Sequence, residues 1–286
     1  MDHPRTGRRL IVQVQWGPLA FHKAIIPPGQ TLQVGRSESA GLSVPHDVMM
    51  ASTHFELTWD GNTCRIRDLK STTGTLLDGQ VVHEEEVGNG SWLRAGTTDF
   101  VMYFEGFTPP REPTEQEVPA VGAHKARVLE LLRKQEASLF AVLDAARDQR
   151  IPILLRESVE EYRSLYEGAQ GNALAEVAPY LVSLPKDSRL LESLVSEGWN
   201  RSWGLYLTCP LPFLEVRRHL RKFLMVQAEG TDARLYFRFY DPRVLRTVMP
   251  TFSTAQRKDL LGPINCFIFE AEDGSVLQEN LRSDIP

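Results

Sequence analysis

Leu235-Tyr-Phe-Arg-Phe-Tyr-Asp-Pro-Arg-Val-Leu245 sets Leu235, Phe237 and Phe239 in alternation with Tyr236, Arg238 and Tyr240, the two-residue period of a strand with one apolar and one amphipathic face. The period stops at Asp241, whose carboxylate suits the free amides of a helix start. Pro242 has the fixed φ and the missing N–H of a first helical position. The stretch predicts a strand over 235–240 that feeds straight into a helix beginning near Arg243.

The neighbouring segments keep switching between these two periods. Val128, Leu129, Leu131 and Leu132 form the apolar stripe of a helix over 123–136, followed by a strand over 139–143. A helix over 190–197, a strand over 203–209, a helix over 214–226 and a strand over 266–270 complete the alternation. This predicts an α/β domain, a mixed sheet covered by helices. Residues 10–104 read differently: short alternating segments at 10–14, 31–34, 54–59, 63–68, 91–93 and 100–104 are broken by Gly, Asn and Asp, which predicts an all-β sandwich. Between the two lies Phe107-Thr-Pro-Pro-Arg-Glu-Pro-Thr-Glu-Gln-Glu-Val-Pro119, a semi-extended linker by composition. The expected organisation is 1–106 sandwich, 107–122 linker and 123–286 α/β domain. Thr108 and Thr114 flank prolines and acids as a phosphosite would, though solvated linker threonines are the commoner case.

Lys and Arg total 32 against 37 Asp and Glu, with 9 against 12 before Pro110 and 23 against 25 after it. Neither half carries the basic footprint that neutralises nucleic-acid phosphates, so no nucleic-acid partner is expected. Cys64, Cys209 and Cys266 have neither short mutual spacing nor a histidine at metal-ligand distance, and are read as reduced and buried. No stretch approaches a membrane span and no apolar leader precedes the alternating Leu10–Trp16 run, which makes the expected location the cytoplasm.

No set of residues supplies nucleophile, base and charge stabilisation together, so neither an enzyme nor a cofactor or metal site is expected. Asp144, Asp148 and Asp241 sit where strands or helices end, the position of caps. His219 has no sequence-near Cys or His, and Glu84-Glu85-Glu86 reads as a solvated turn. Recognition residues remain: Trp199 and Trp203 around a helix-to-strand turn, Arg217 and Arg221 on the basic helix, Tyr236 and Tyr240 on the amphipathic strand face, and Arg243 beyond it. Aromatics and arginines dominate interface hot spots, yet large aromatics in such domains are more often core.

Within the β region, Gly35-Arg36-Ser37, Met50-Ala51-Ser52-Thr53-His54-Phe55, Asp68-Leu69-Lys70-Ser71-Thr72-Thr73-Gly74-Thr75 and Asp78-Gly79 recur in an order and spacing that resemble a forkhead-associated domain. The resemblance implies a sandwich whose loops bind phosphothreonine. Arg36 would be the cation, Ser52 a flanking donor, Thr72 a hydroxyl and Lys70 added charge, with Gly35, His54 and Gly74 as structural motif residues. Two positions depart from the family. Its phosphate-binding serine is Ala51 here, and its peptide-holding asparagine is Thr73. The domain is thus expected either to bind phosphothreonine weakly or to persist as a protein-docking module.

Leu139-Phe-Ala-Val-Leu-Asp-Ala-Ala-Arg-Asp, Glu161-Tyr-Arg-Ser-Leu-Tyr-Glu-Gly, Ala178-Pro-Tyr-Leu-Val, Glu197-Gly-Trp-Asn-Arg-Ser-Trp-Gly and Arg217-Arg-His-Leu-Arg-Lys-Phe-Leu, together with the 235–245 stretch, resemble a bacterial domain-of-unknown-function family. Members serve as effector chaperones or adaptors of type VI secretion. The resemblance implies a non-catalytic adaptor that holds a toxic effector and helps load it onto the VgrG spike. The rival expectation is a phosphothreonine-reading regulator of secretion assembly, acting through the β domain.

Overall fold

Eleven short strands build the N-terminal part of the computed structural model, which describes residues 7–110, 119–227 and 234–280. They are β1 (Leu10–Val14), β2 (Lys23–Ile26), β3 (Gln30–Gly35), β4 (Leu42–Ser43), β5 (Phe55–Trp59), β6 (Cys64–Asp68), β7 (Thr75–Leu77), β8 (Gln80–Val82), β9 (Glu84–Val87), β10 (Trp92–Ala95) and β11 (Thr98–Phe104). One sheet runs β2-β1-β11-β10-β7-β8 and the other β4-β3-β5-β6-β9. Alternate residues of each strand point between the sheets, where Val12, Leu93, Phe100 and Met102 meet Val34, Phe55, Leu57, Trp59 and Ile66, all fully buried. This is the expected sandwich. Its unit also takes in Arg156–Val159, and within it the Glu157 carboxylate accepts from Thr108 N at 2.7 Å and Thr108 Oγ1 at 2.6 Å. Burial pushes the Cys64 thiol up to about 12, helped by Asp60 and Glu86, so it stays protonated at neutral pH.

Every strand expected here forms, and the additional ones are short. β7 and β8 close over a two-residue turn, Asp78-Gly79, with φ of 48° and 85°. Glu84-Glu85-Glu86 is not a turn but the start of the edge strand β9. Glu84 stands opposite Arg67 and Glu86 opposite Arg65, so cross-strand charge pairing favours the extended form that composition alone did not indicate.

The second unit contains α1 (Pro119–Arg133), β12 (Leu139–Asp144), α2 (Arg150–Arg156), β13 (Tyr162–Ser164), α3 (Gly168–Ala173), β14 (Pro179–Ser183), α4 (Arg189–Gly198), β15 (Gly204–Thr208), α5 (Phe213–Arg221), β16 (Met225–Gln227), β17 (Arg234–Tyr236), α6 (Pro242–Val248), α7 (Thr254–Leu261), β18 (Cys266–Glu270) and β19 (Val276–Glu279). Six strands form a sheet in the order β13-β14-β12-β15-β18-β19. The run Leu-Phe-Ala-Val-Leu of β12 is apolar at every position because both faces are covered. Leu139, Ala141 and Leu143 pack with α1, α2 and α4, whereas Phe140 and Val142 pack with α5, α6 and α7. The α/β class is as expected. The strand pairings are antiparallel throughout, not mixed, because each connection returns the chain against its neighbour's direction.

The 235–245 stretch divides earlier than its alternation predicts. β17 ends at Tyr236 and pairs only with β16, in a separate two-stranded sheet. Phe239 and Tyr240 are consecutive and both buried, at 0% and 2% exposure, which a strand with one core face cannot achieve. A turn closed by Asp241 N donating to Arg238 O at 3.0 Å achieves it. The helix start is as read: Asp241 accepts from Arg243 N at 3.0 Å and Pro242 is the first helical residue. The helix expected over 214–226 ends at Arg221, because Lys222 N and Phe223 N turn back to His219 O and Leu220 O, and Leu224 O then receives Phe237 N. α1 starts at Pro119, ahead of residue 123. Among the described residues no helix is long and apolar enough to cross a membrane.

His219 on α5 donates its Nε2–H to Leu260 O at 2.9 Å. Burial lowers its pKa, the Leu260 carbonyl partly opposes this, and Lys222 adds to the lowering. A depressed folded pKa means that the neutral ring favours folding above the unfolded pKa of ~6.5. That contribution is lost as pH falls through the folded value. Denaturant titrations from pH 8 to 5 are therefore expected to show stability declining below about 6.5 more steeply for the natural protein than for His219→Gln. Equal slopes would assign the pH dependence to other groups.

Candidate functional site

β3 ends at Gly35, a position where no side chain fits: an added Cβ would lie 2.2 Å from Ser52 O. This close approach lets the next two residues lace onto the β4–β5 loop, Arg36 N donating to Ala51 O at 2.9 Å and Ser37 N to Ser52 O at 3.0 Å. His54, fully buried, joins that loop to the next. Its Nδ1 accepts from Ala51 N at 3.1 Å, so its Nε2 carries the proton donated to Gly74 O at 3.0 Å. The histidine is a structural tie between the loops, as its position implied.

The β6–β7 loop is held by Asp68, which accepts from Ser71 N, Ser71 Oγ and Thr75 Oγ1 at 2.9, 2.7 and 2.6 Å. Burial opposes ionisation of Asp68, but the Thr75 and Ser71 hydrogen bonds outweigh it and hold the carboxyl below its usual pKa. Asp47 does the same for the β4–β5 loop, accepting from Met49 N, Thr97 N and Thr98 Oγ1. Its pKa is likewise lowered, again against burial. Neither aspartate was singled out from sequence. The usable signal was an Asp followed two or three residues later by a turn residue whose amide it can cap.

On this scaffold Arg36, Ser52, Lys70 and Thr72 are exposed, and none of their side chains has a hydrogen-bond or ion-pair partner among the described residues. Thr73 differs, since its Oγ1 donates to Met49 O at 3.2 Å and ties the second and third loops together. The geometry brings a guanidinium, an ammonium and two hydroxyls to one end of the sandwich, all free to donate. Such a set suits a dianionic group presented by a partner.

Residues 32–96 match the family model of the FHA domain, and residues 139–259 match that of a domain of unknown function, DUF4123. The chain joins an FHA domain to a DUF4123 domain. Over 69 residues the FHA region is 30% identical to the FHA domain-containing protein FhaA of Mycobacterium tuberculosis, a match covering 24% of this chain and 13% of that protein. The FhaA FHA domain, solved in complex with the intracellular domain of Rv3910, is 26% identical with a TM-score of 0.30, covering 32% of this chain and 98% of that one. The FHA domain of the CT664 protein from Chlamydia trachomatis is 21% identical with a TM-score of 0.32, covering 33% and 96%.

In the DUF4123 unit several residues read as contacts are structural. Trp199 and Trp203 are 3% and 4% exposed, and Trp199 Nε1 donates to Gly274 O at 2.8 Å, so both belong to the core. Tyr240 is buried as well. Arg217 donates to the carbonyls of Ser164 and Tyr166, Arg221 to that of Leu165, and both pair with Glu167. Their charge therefore fastens the 164–167 loop to α5. Burial opposes ionisation of Glu167 and the two arginines reverse it, lowering its pKa. Arg243 pairs with its own cap residue, Asp241, at 2.6 Å. Burial opposes the charge of Asp241, but Arg243 and Arg238 hold its pKa down. Of the acids considered from sequence, Asp148 caps α2 at Arg150 N, while Asp144 accepts from Ala146 N and from Arg238. Of the four aromatics read as contacts, Trp199, Trp203, Tyr236 and Tyr240, only Tyr236 is exposed, at 42%, with its hydroxyl in a chain to Tyr166 at 2.6 Å and Tyr240 at 2.9 Å. No group of three His, Cys, Asp or Glu among the described residues is placed to hold a metal ion.

Proposed function

We propose that the chain is a non-catalytic adaptor that links two proteins. The FHA domain docks a phosphothreonine-bearing protein through Arg36, Ser52 and Thr72, with Lys70 adding charge. The DUF4123 domain holds a second protein, a type VI secretion effector on its way to the VgrG spike. The observation that supports this reading is the set of donors left without partners among the described residues, on loops made rigid by His54, Asp47 and Asp68. A phosphate carries nearly two negative charges and accepts through three oxygens, which matches that set. The effector role rests on the resemblance of residues 139–269 to secretion adaptors.

Co-expression of the full chain with the effector encoded beside it tests the division of labour. Co-purification is expected for the natural protein and equally for Arg36→Ala, since the phosphate loops do not hold the effector. Capture lost in Arg36→Ala would move the effector to the FHA domain, and no capture by either form would remove the effector role.

A further inference from the structure

The β16–β17 hairpin stands apart from the six-stranded sheet, and its backbone pairing leaves one edge open. Phe237 N donates to Leu224 O at 2.9 Å, which makes 224 and 237 a hydrogen-bonded pair. Such pairs recur every second residue in an antiparallel ladder, so Val226 and Leu235 form the next one. Arg234 and Tyr236 must then turn their N–H and C=O groups away from β16, and no described residue meets those groups. Leu235 is 54% exposed and Met225 41%, an unusual display for a ribbon of three-residue strands, which is marginal in water by itself. The Tyr236 hydroxyl chain to Tyr166 and Tyr240 ties the ribbon to the rest of the unit.

Charge selects among possible occupants. Around the hairpin, the cations Arg217, Arg221 and Arg238 are all paired with acids of their own unit, whereas Arg234 on the open strand and Lys222 at the end of α5 form no ion pair among the described residues. We propose that the open edge of β17 is a strand-addition site for an extended segment of the held protein, in which acidic residues alternate with apolar ones. The main chain of that segment would pair with Arg234 and Tyr236, its carboxylates would meet Arg234 on the face that Tyr236 and Met225 share, and its apolar residues would cover Leu235 on the opposite face. This inference rests on the reading of the DUF4123 domain as a partner-holding domain, and names the mode of holding.

The test uses the full-length protein and three synthetic nine-residue peptides: one alternating valine and glutamate, its lysine counterpart, and the glutamate peptide N-methylated at alternate amides. Fluorescence anisotropy is expected to show the glutamate peptide binding at least about tenfold better than either control. Hydrogen exchange at Arg234 and Tyr236 should slow on binding, because their outward amides become bonded. Arg234→Glu, a change at an exposed side chain, should cut the affinity about tenfold or more. Arg234→Pro should remove one outward donor without touching the Val226–Leu235 pair. Binding indifferent to N-methylation and to Arg234→Glu, or no binding of the glutamate peptide, would overturn the proposal. A glutamate peptide that binds as expected while the effector fails to co-purify would instead sink the effector reading and leave the edge site standing.

Discussion

Gly35→Ala is expected to destabilise the FHA domain by about 3 kcal/mol, because the new Cβ meets backbone and not a flexible side chain. It would lie 2.2 Å from Ser52 O, and 2.8 Å from both Ser52 C and Thr53 Cα. Relief requires β3 and the β4–β5 loop to separate, which breaks the bonds from Arg36 N and Ser37 N that set the cation beside Ser52. For a domain of this size the loss corresponds to a fall of roughly 10–20 °C in the thermal transition. Gly88→Ala is the control, since its Cβ would meet only Ser91 Oγ at 3.4 Å, and a change within about 0.5 kcal/mol is expected there. Scanning calorimetry of the full chain, in which the two units can unfold separately, reads both variants. Equal transitions for Gly35→Ala and Gly88→Ala would mean that the approach of β3 to the β4–β5 loop is looser than the distances state.

Arg36→Ala is expected to reduce phosphothreonine-peptide affinity by roughly a hundredfold, the loss of about 3 kcal/mol of charge-assisted hydrogen bonding. Binding by the natural protein should lie on the order of tens of micromolar, because Ala51 offers no hydroxyl to the phosphate and the Thr73 hydroxyl is bound to Met49 O. Ala51→Ser with Thr73→Asn should then raise the affinity about tenfold. The first supplies a donor beside a backbone already fixed by His54, and the second supplies an amide able to reach a peptide backbone. Titration calorimetry with phosphorylated and unphosphorylated threonine peptides measures all three forms. Submicromolar, phosphate-dependent binding by the natural chain would show that neither substitution weakens the pocket, and indifference to phosphate after restoration would mean that these loops form no phosphate site.

What could be read from residues alone follows the range of the forces involved. Periodicity of two in the first hundred residues, the alternating periods over 139–209, and the Asp241-Pro242 helix start are local signals, and the structure keeps each of them. The loop motifs around Arg36, His54 and Gly74 were legible because turn chemistry and close backbone approach demand particular residues at fixed spacing. Tertiary structure decided everything that depends on what lies opposite. Leu235 to Tyr240 alternates perfectly, yet the chain turns after Tyr236 because two consecutive aromatics, Phe239 and Tyr240, both gain more by entering the core. Trp199 and Trp203 carry the composition of an interface and are spent on packing. Arg217 and Arg221 look like a basic docking face and instead satisfy Glu167 and three carbonyls from a loop some fifty residues away in sequence. A side chain's type gives its capacity to pack or to bond, and only the fold, by bringing distant partners within about 3 Å, determines whether that capacity is used inside the molecule or left for another one.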